Sequence, residues 1–183
     1  MKSTVKGFRI AAKKSAIVIA VSMLLMFVLA WFIPLNVNIP YAVTVTDSRG
    51  EVLHAFLSKD EKWRMNVGLN EINPQLVKAI IQKEDRWFYF HYGVNPVAVV
   101  RAMVNNLMYQ RKTSGASTIT MQVSRLLYPA PRTLYNKMIE ALRAVQLECR
   151  YSKKEILELY LNLIPYGGNI EGVKSASVLY LQK

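Results

Sequence analysis

The sequence predicts a mainly α-helical domain preceded by one transmembrane helix, with a small β-hairpin where the two meet. Three observations carry this prediction. Residues 16–35 form a run of twenty residues without a charge. Residues 42–57 alternate in the manner of strands around a turn, and helix-start signals recur from Asn73 onward.

The uncharged run at 16–35 reads AIVIAVSMLLMFVLAWFIPL. At a rise of about 1.5 Å per residue it spans roughly 30 Å, the thickness of a bilayer's hydrocarbon core. A cleaved signal peptide is the alternative, but its apolar region usually has about 7–15 residues and ends at a small-residue cleavage site. The length and the aromatic end favour a retained membrane anchor.

Basic residues before the run set the expected orientation. Residues 1–15 contain five lysines and arginines and no acidic residue: Lys2, Lys6, Arg9, Lys13 and Lys14. The positive-inside rule makes residues 1–15 a cytoplasmic tail and places residues 36–183 outside the cytoplasmic (inner) membrane. That outer compartment is periplasmic or extracellular.

The outer part carries 19 basic and 12 acidic residues, a net charge of +7. An outward-facing domain rarely meets nucleic acid, so an anionic membrane surface or a lipid-linked pyrophosphate fits better, although plain solubility would also explain the charge. Cys149 is the only cysteine. An intramolecular disulfide and a multi-thiolate zinc site are therefore excluded, and Cys149 is expected to be a small core residue.

The elements follow in order. Residues 42–46 and 51–57 predict a hairpin around the turn 47–50, and residues 57–69 are interpreted as a connector. Caps, prolines and a Ser152/Glu155 capping box predict helices over 73–84, 95–109, 117–127, 133–150 and 153–163. Residues 165–168 are interpreted as a loop before a last helix at 172–181.

Single residues leave their chemistry open. Glu84 stands at a helix end beside Trp87 and Phe88, where lost solvation would raise its pKa into a range useful for proton transfer. The alternative is an ordinary solvated glutamate. Asp85 could instead be the structural partner of a nearby arginine.

The segment 115–122 could hold an anion at a helix start or simply cap that helix. Lys137 and Glu140 share a helix face, as an ion pair or as an active-site pair. Arg125 and Arg132 suit phosphate recognition, but loop arginines are commonly just solvated.

The order of these segments is more specific than any one of them. Glu-Asp-x-x-Phe-x-x-His-x-Gly at 84–93 precedes Gly-Ala-Ser-Thr-Ile-Thr-x-Gln at 115–122 and Lys-x-x-Glu at 137–140. Lys-x-x-Ile-Leu-Glu-x-Tyr-Leu-Asn at 153–162 and the glycines and small residues of 167–183 complete the series. The chain from about 42 to 183 resembles glycosyltransferase family 51, the glycan-polymerising module of class A penicillin-binding proteins, most closely in the 1C branch.

This resemblance implies a lysozyme-like fold and an inverting peptidoglycan glycosyltransferase. It makes Glu84 the general base and Glu140 the second catalytic carboxylate. The same resemblance implies that six residues bind the substrate: Ser117, Thr118, Gln122, Arg125, Arg132 and Lys137. The fourth motif, residues 153–162, is expected to be mainly structural, through Lys153, Glu158 and Asn162. A structural role is also expected for His91 and Gly93.

Lipid II and the growing glycan strand are the implied substrates, and cell-wall synthesis proteins are possible partners. A Mg²⁺ or Mn²⁺ ion would be held mainly by the substrate's pyrophosphate, since no protein metal site is expected. Asn136, Met121 and Leu181-Gln182 depart from the family pattern. The glycosyltransferase domain is expected to be incomplete at its C-terminus and to lack a transpeptidase domain.

Two other functions stay open. A lysozyme-like enzyme that cleaves glycan could also use a catalytic glutamate, but it has no pyrophosphate to bind with Arg125, Arg132 and Lys137. A catalytically inactive module could bind lipid II or a partner without turnover.

Overall fold

The structure, a computed structural model, describes residues 34–50, 52–109 and 115–181 and isolated positions between 18 and 32. The chain divides into two units, residues 1–35 and 36–183. The predicted transmembrane helix at 16–35 lies mostly outside the described residues. Among those that are described, no helix is long and apolar enough to cross a membrane, and the anchor stays a prediction.

The second unit is mainly α-helical, as predicted. Its helices are α1 (Pro74–Glu84), α2 (Pro96–Tyr109), α3 (Ile119–Leu127), α4 (Leu134–Arg150), α5 (Lys153–Leu163) and α6 (Val173–Ala176). Short 3-10 turns lie at Leu69–Glu71 and Phe88–Phe90, and α6 continues as a π-helical turn over Ser177–Leu181. The predicted last helix therefore exists, but its hydrogen-bonding pattern changes after one turn.

Side-chain caps explain where these helices begin. Asn73 accepts a hydrogen bond from the Gln75 amide and precedes Pro74 at the first position of α1. Thr133 accepts one from Asn136 at the start of α4. Each cap satisfies an amide that the helix leaves without a partner. The predicted Ser152/Glu155 capping box is also confirmed at the start of α5.

Two small sheets accompany the helices. The predicted hairpin is confirmed, with β1 (Thr44–Thr46) antiparallel to β2 (Val52–Ala55). The second sheet has the order β3 (Trp63–Arg64), β5 (Ile170–Glu171), β4 (Pro165–Gly167).

This second sheet corrects two sequence interpretations. The segment 57–69 is not only a connector, because β3 pairs in parallel with β5. The segment 165–168 is not only a loop, because β4 pairs antiparallel with β5. These strands have two or three residues, too few to show an alternating pattern, and proline and glycine in β4 are weak strand formers.

Motif-four side chains on α5 hold the segment that follows β3. The Asn162 amide accepts from the Val67 N–H at 3.0 Å and donates to the Val67 carbonyl at 2.9 Å. Glu158 Oε2 accepts from the Leu69 N–H at 2.8 Å. The predicted structural role of Glu158 and Asn162 is therefore seen directly.

The core forms where α3 packs against both α4 and α5. Ile119 and Val123 of α3, Leu147 of α4, and Ile156 and Leu161 of α5 are all fully buried there. Cys149 is exposed, so the prediction of a core cysteine is wrong. Ala144 and Leu147 turn inward and Cys149 lies off that face of α4.

Gly93 lets the chain pass close to α4. Its φ of +76° lies in the left-handed region, and a Cβ there would stand 2.7 Å from the carbonyl carbon and oxygen of Ala144. Gly50 has a similar φ of +84°, but a Cβ there would meet nothing within 4 Å. The two glycines thus have the same backbone strain and differ in packing.

We predict that Gly93→Ala destabilises the protein more than Gly50→Ala. A left-handed alanine costs about 1–2 kcal/mol at either position, and overpacking against α4 adds about 1–3 kcal/mol at position 93. Chemical denaturation of the full chain in detergent, followed by circular dichroism, measures both. Equal losses of stability would show that the approach of Gly93 to Ala144 is not a tight packing contact.

Candidate active site

Glu84 is the last residue of α1, and its side chain is exposed. Of the two alternatives for this carboxylate, loss of solvation beside the aromatic residues and ordinary solvation, the structure shows the second. Phe88 turns fully into the core, whereas Trp87 and Phe90 stay exposed and pack edge-on against each other, with ring centroids 5.7 Å apart. Glu84 is thus the solvated alternative, open to any molecule that approaches this surface.

Asp85, the next residue, is buried and organises the surroundings of Glu84. Its Oδ2 lies 2.9 Å from His91 Nε2 and accepts a 3.1 Å hydrogen bond from the Ile119 N–H. The structural partner is therefore a histidine, and not the arginine that was considered. Because Ile119 is the first residue of α3, Asp85 fixes the end of α1 to the start of α3.

Gln122 on α3 contacts Glu84 directly. Its Nε2 donates to Glu84 Oε2 at 3.0 Å, and its Oε1 accepts from the Tyr160 hydroxyl at 3.4 Å. Tyr160 lies on α5 and is buried. Burial raises the pKa of the Tyr160 phenol, the negative charge of Glu84 raises it further, and Arg125 opposes the rise.

Lys137 and Glu140 form a second cluster with Ser117. Lys137 Nζ lies 2.7 Å from Glu140 Oε2 and donates to Ser117 Oγ at 2.8 Å. Both charged residues lie on α4, three positions apart, and their side chains are partly exposed. The cluster offers a cation, a carboxylate and a hydroxyl to one ligand.

The other predicted site residues differ in accessibility. Thr118 is only 2% exposed, and its hydroxyl caps α3 and donates to the Gly93 carbonyl. Its direct contact with a substrate stays a prediction. Arg125 is half-buried on α3, three residues beyond Gln122 and hence on the same side of that helix, whereas Arg132 is exposed between α3 and α4.

Both clusters contact one short segment, residues 117–122. Ser117 lies two residues before α3, and Gln122 lies in the first turn of that helix. Asp85 fixes that segment at Ile119. An exposed carboxylate and an ion pair with a hydroxyl therefore each contact the segment at the start of α3.

Comparison with known proteins identifies the family of the chain. A family model described as transglycosylase matches residues 49–183. The chain belongs to the transglycosylase family. The resemblance to glycosyltransferase family 51 is thereby confirmed, and the matched region includes both clusters and every predicted site residue.

Several relatives of this transglycosylase chain are penicillin-binding proteins. Penicillin-binding protein 1C of Escherichia coli K12 is 45% identical over 153 residues, which is 84% of this chain and 20% of the relative. Penicillin-binding protein 1A of the same strain is 39% identical over 155 residues, 80% of this chain and 18% of the relative. Penicillin-binding protein 1A of Aquifex aeolicus VF5 is 38% identical over 145 residues, which is 79% of this chain and 20% of the relative. The chain therefore spans about a fifth of the length of these relatives.

Tyr160 is the site residue that sequence reasoning did not single out. It lies within motif four, in a stripe of apolar residues that includes Ile156, Leu157 and Leu161. A tyrosine in such a stripe normally predicts only a core position. What distinguishes Tyr160 is the contact of its hydroxyl with Gln122, which depends on how α3 packs on α5.

We predict that Asp85→Asn lowers the free energy of unfolding by about 2–4 kcal/mol, because it removes a buried charge that accepts two hydrogen bonds. Glu155→Gln is the matched control. Its carboxylate also accepts from a backbone N–H at a helix start but is exposed, so a smaller loss is expected. Urea denaturation measures both variants, and an Asp85→Asn protein as stable as Glu155→Gln would contradict the bridging role of Asp85.

Proposed function

We propose that this chain is a peptidoglycan glycosyltransferase that polymerises lipid II into β-1,4-linked glycan strands and releases undecaprenyl pyrophosphate. The observation that carries the proposal is that an exposed carboxylate, Glu84, and the Lys137–Glu140 ion pair each contact the segment 117–122 at the start of α3. Membership of the transglycosylase family sets the reaction class.

Glu84 is the proposed general base. It takes the proton from the 4-hydroxyl of the acceptor disaccharide, whose oxygen attacks C1 of the growing chain as the bond from C1 to the pyrophosphate oxygen breaks. Attack opposite the leaving group inverts the anomeric centre and gives the β linkage. Positioned proton transfer contributes about 10²–10⁴-fold to such a reaction.

The pyrophosphate that leaves carries developing negative charge, and cations offset it. Lys137 is the best placed, since Ser117 and Glu140 fix its ammonium group. Arg125 and Arg132 are the further proposed phosphate contacts, Arg125 on the same side of α3 as Gln122. A glycan-cleaving enzyme has no pyrophosphate for these cations, so the cluster favours glycosyl transfer.

A divalent ion would come with the substrate rather than from a protein cage. In the described ranges, no group of three or more His, Cys, Asp or Glu side chains is arranged to hold a metal. Glu140 is the carboxylate that would contact a Mg²⁺ or Mn²⁺ ion bound to the pyrophosphate, whose phosphates supply most of the oxygen ligands.

A lipid-linked donor also requires the enzyme to work at a membrane. We therefore propose a single-pass protein of the inner membrane, with residues 1–15 inside and the transglycosylase domain on the outer face. Cell-wall synthesis proteins are the proposed partners.

The first prediction from this function concerns Glu84. The full chain in detergent is expected to convert fluorescent lipid II into polymer, and Glu84→Gln is expected to reduce the rate by about 10²–10⁴-fold because it removes the base. Products are separated by size on gels, with a moenomycin-type inhibitor as a further block. Glu61→Gln, a change at an exposed glutamate outside both clusters, is the matched control and keeps full activity.

Polymer from Glu84→Gln at the wild-type rate would refute the role of Glu84. Binding of lipid II without polymer from the wild-type chain would instead establish the alternative, an inactive binding module. Shortening of preformed glycan would establish a cleaving enzyme.

The second prediction concerns the leaving group. Lys137→Met is expected to lower kcat/KM for lipid II by about 10²-fold, since it removes one fixed charge that stabilises the pyrophosphate. Lys78→Met, which removes an exposed lysine from α1, is expected to change little. Equal kinetics of the two variants would remove Lys137 from the proposed mechanism.

A further inference from the structure

The environment of Glu84 contains a group that the proposed reaction does not use. The Tyr160 hydroxyl is aimed at Gln122, and Gln122 is the residue that contacts Glu84. The three side chains come from α5, α3 and the end of α1. They form a chain that runs from the core to an exposed carboxylate.

The direction of these hydrogen bonds follows from the chemistry of the groups. An ionised carboxylate only accepts, so Gln122 must present its NH₂ group to Glu84. The Gln122 oxygen then faces Tyr160 and needs a donor. The phenol supplies it, because burial and the nearby charge of Glu84 keep its pKa raised and its proton in place.

Tyr160 is suited to hold the amide because its ring is enclosed by the core. Its side chain is 1% exposed and sits in the packed core of α5. Glu84, by contrast, is exposed at a helix end and has several solvated rotamers available. A buried hydroxyl therefore lies two contacts away from an exposed carboxylate.

We infer that Tyr160 is a positioning residue: its hydroxyl fixes the Gln122 amide so that the amide NH₂ stays on Glu84 and orients the carboxylate. This inference rests on the proposed role of Glu84 as the base. It gives Gln122 a function toward the base in addition to the predicted contact with substrate.

Removal of the hydroxyl should raise the proton affinity of Glu84. In Tyr160→Phe the Gln122 oxygen loses its donor, and the amide can rotate away from the carboxylate. A carboxylate that loses a hydrogen-bond donor is less stable in its charged form, so a Glu84 midpoint above that of the wild type is the expected readout in this variant. The base is then protonated at a higher pH, and activity is lost first on the acid side.

The test measures Glu84 directly. The full chain labelled with δ-¹³C glutamate is titrated by NMR in detergent, and the Glu84 signal is assigned by its absence in Glu84→Gln. Tyr160→Phe and Gln122→Leu are each expected to raise the Glu84 midpoint, and the double variant should show no further rise. Tyr151→Phe, which changes a half-buried tyrosine at the end of α4, is the matched control and should leave the midpoint unchanged.

An unchanged Glu84 midpoint in Tyr160→Phe, with the native thermal melt retained, would overturn the inference. Additive shifts in the double variant would also overturn it, since the two residues would then act separately. The titration needs no substrate, so it stands even if the wild-type chain makes no polymer and the proposed function fails.

If polymer is made, the kinetics give a second reading. Tyr160→Phe should lower kcat below the shifted midpoint and leave KM for lipid II unchanged. A rise in KM with an unchanged pH profile would show that Tyr160 acts on substrate binding, and would contradict the positioning role.

Discussion

The carboxylate of Asp85 accepts from the first backbone N–H of α3 and lies within hydrogen-bonding distance of His91. It is buried, so these contacts are sheltered from water and the carboxylate has no solvent to replace them. The positive end of the α3 dipole also favours the charge there. Through this one side chain the end of α1 and the start of α3 take a fixed relative position.

The site follows from that position. Glu84 is the last residue of α1 and directly precedes Asp85. The buried position of Asp85 therefore determines where the Glu84 side chain leaves the end of the helix. Ser117 and Gln122 lie on either side of Ile119, whose N–H donates to Asp85. The position of Ile119 therefore sets where Ser117 contacts Lys137 and where Gln122 contacts Glu84. Gly93 adds to this arrangement, because its carbonyl accepts from the hydroxyl that caps α3.

Sequence reasoning located the helices well because their signals are local. Asn73, Thr133 and Ser152 cap the helices that they were expected to start. The roles that the ordered motifs assign to Glu84, Lys137 and Glu140 stay predictions. What sequence reasoning missed depends on distant packing. The strands β3 and β5 lie more than 100 residues apart in sequence, and the Tyr160 contact with Gln122 requires α3 and α5 to meet. The solvation of Glu84, which the sequence left open, likewise depends on where the neighbouring aromatic side chains pack: Phe88 enters the core, and Trp87 and Phe90 stay exposed.

Residues 117–122, which run from two residues before α3 into its first turn, carry the contacts to both clusters. Ser117 precedes the Thr118 cap and Gln122 lies in the first turn, so the position of both residues depends on where α3 begins. The contact of Gln122 with Glu84 and the contact of Ser117 with Lys137 are therefore both tied to the same helix start. A substitution that displaces the start of α3 should then disturb both contacts together.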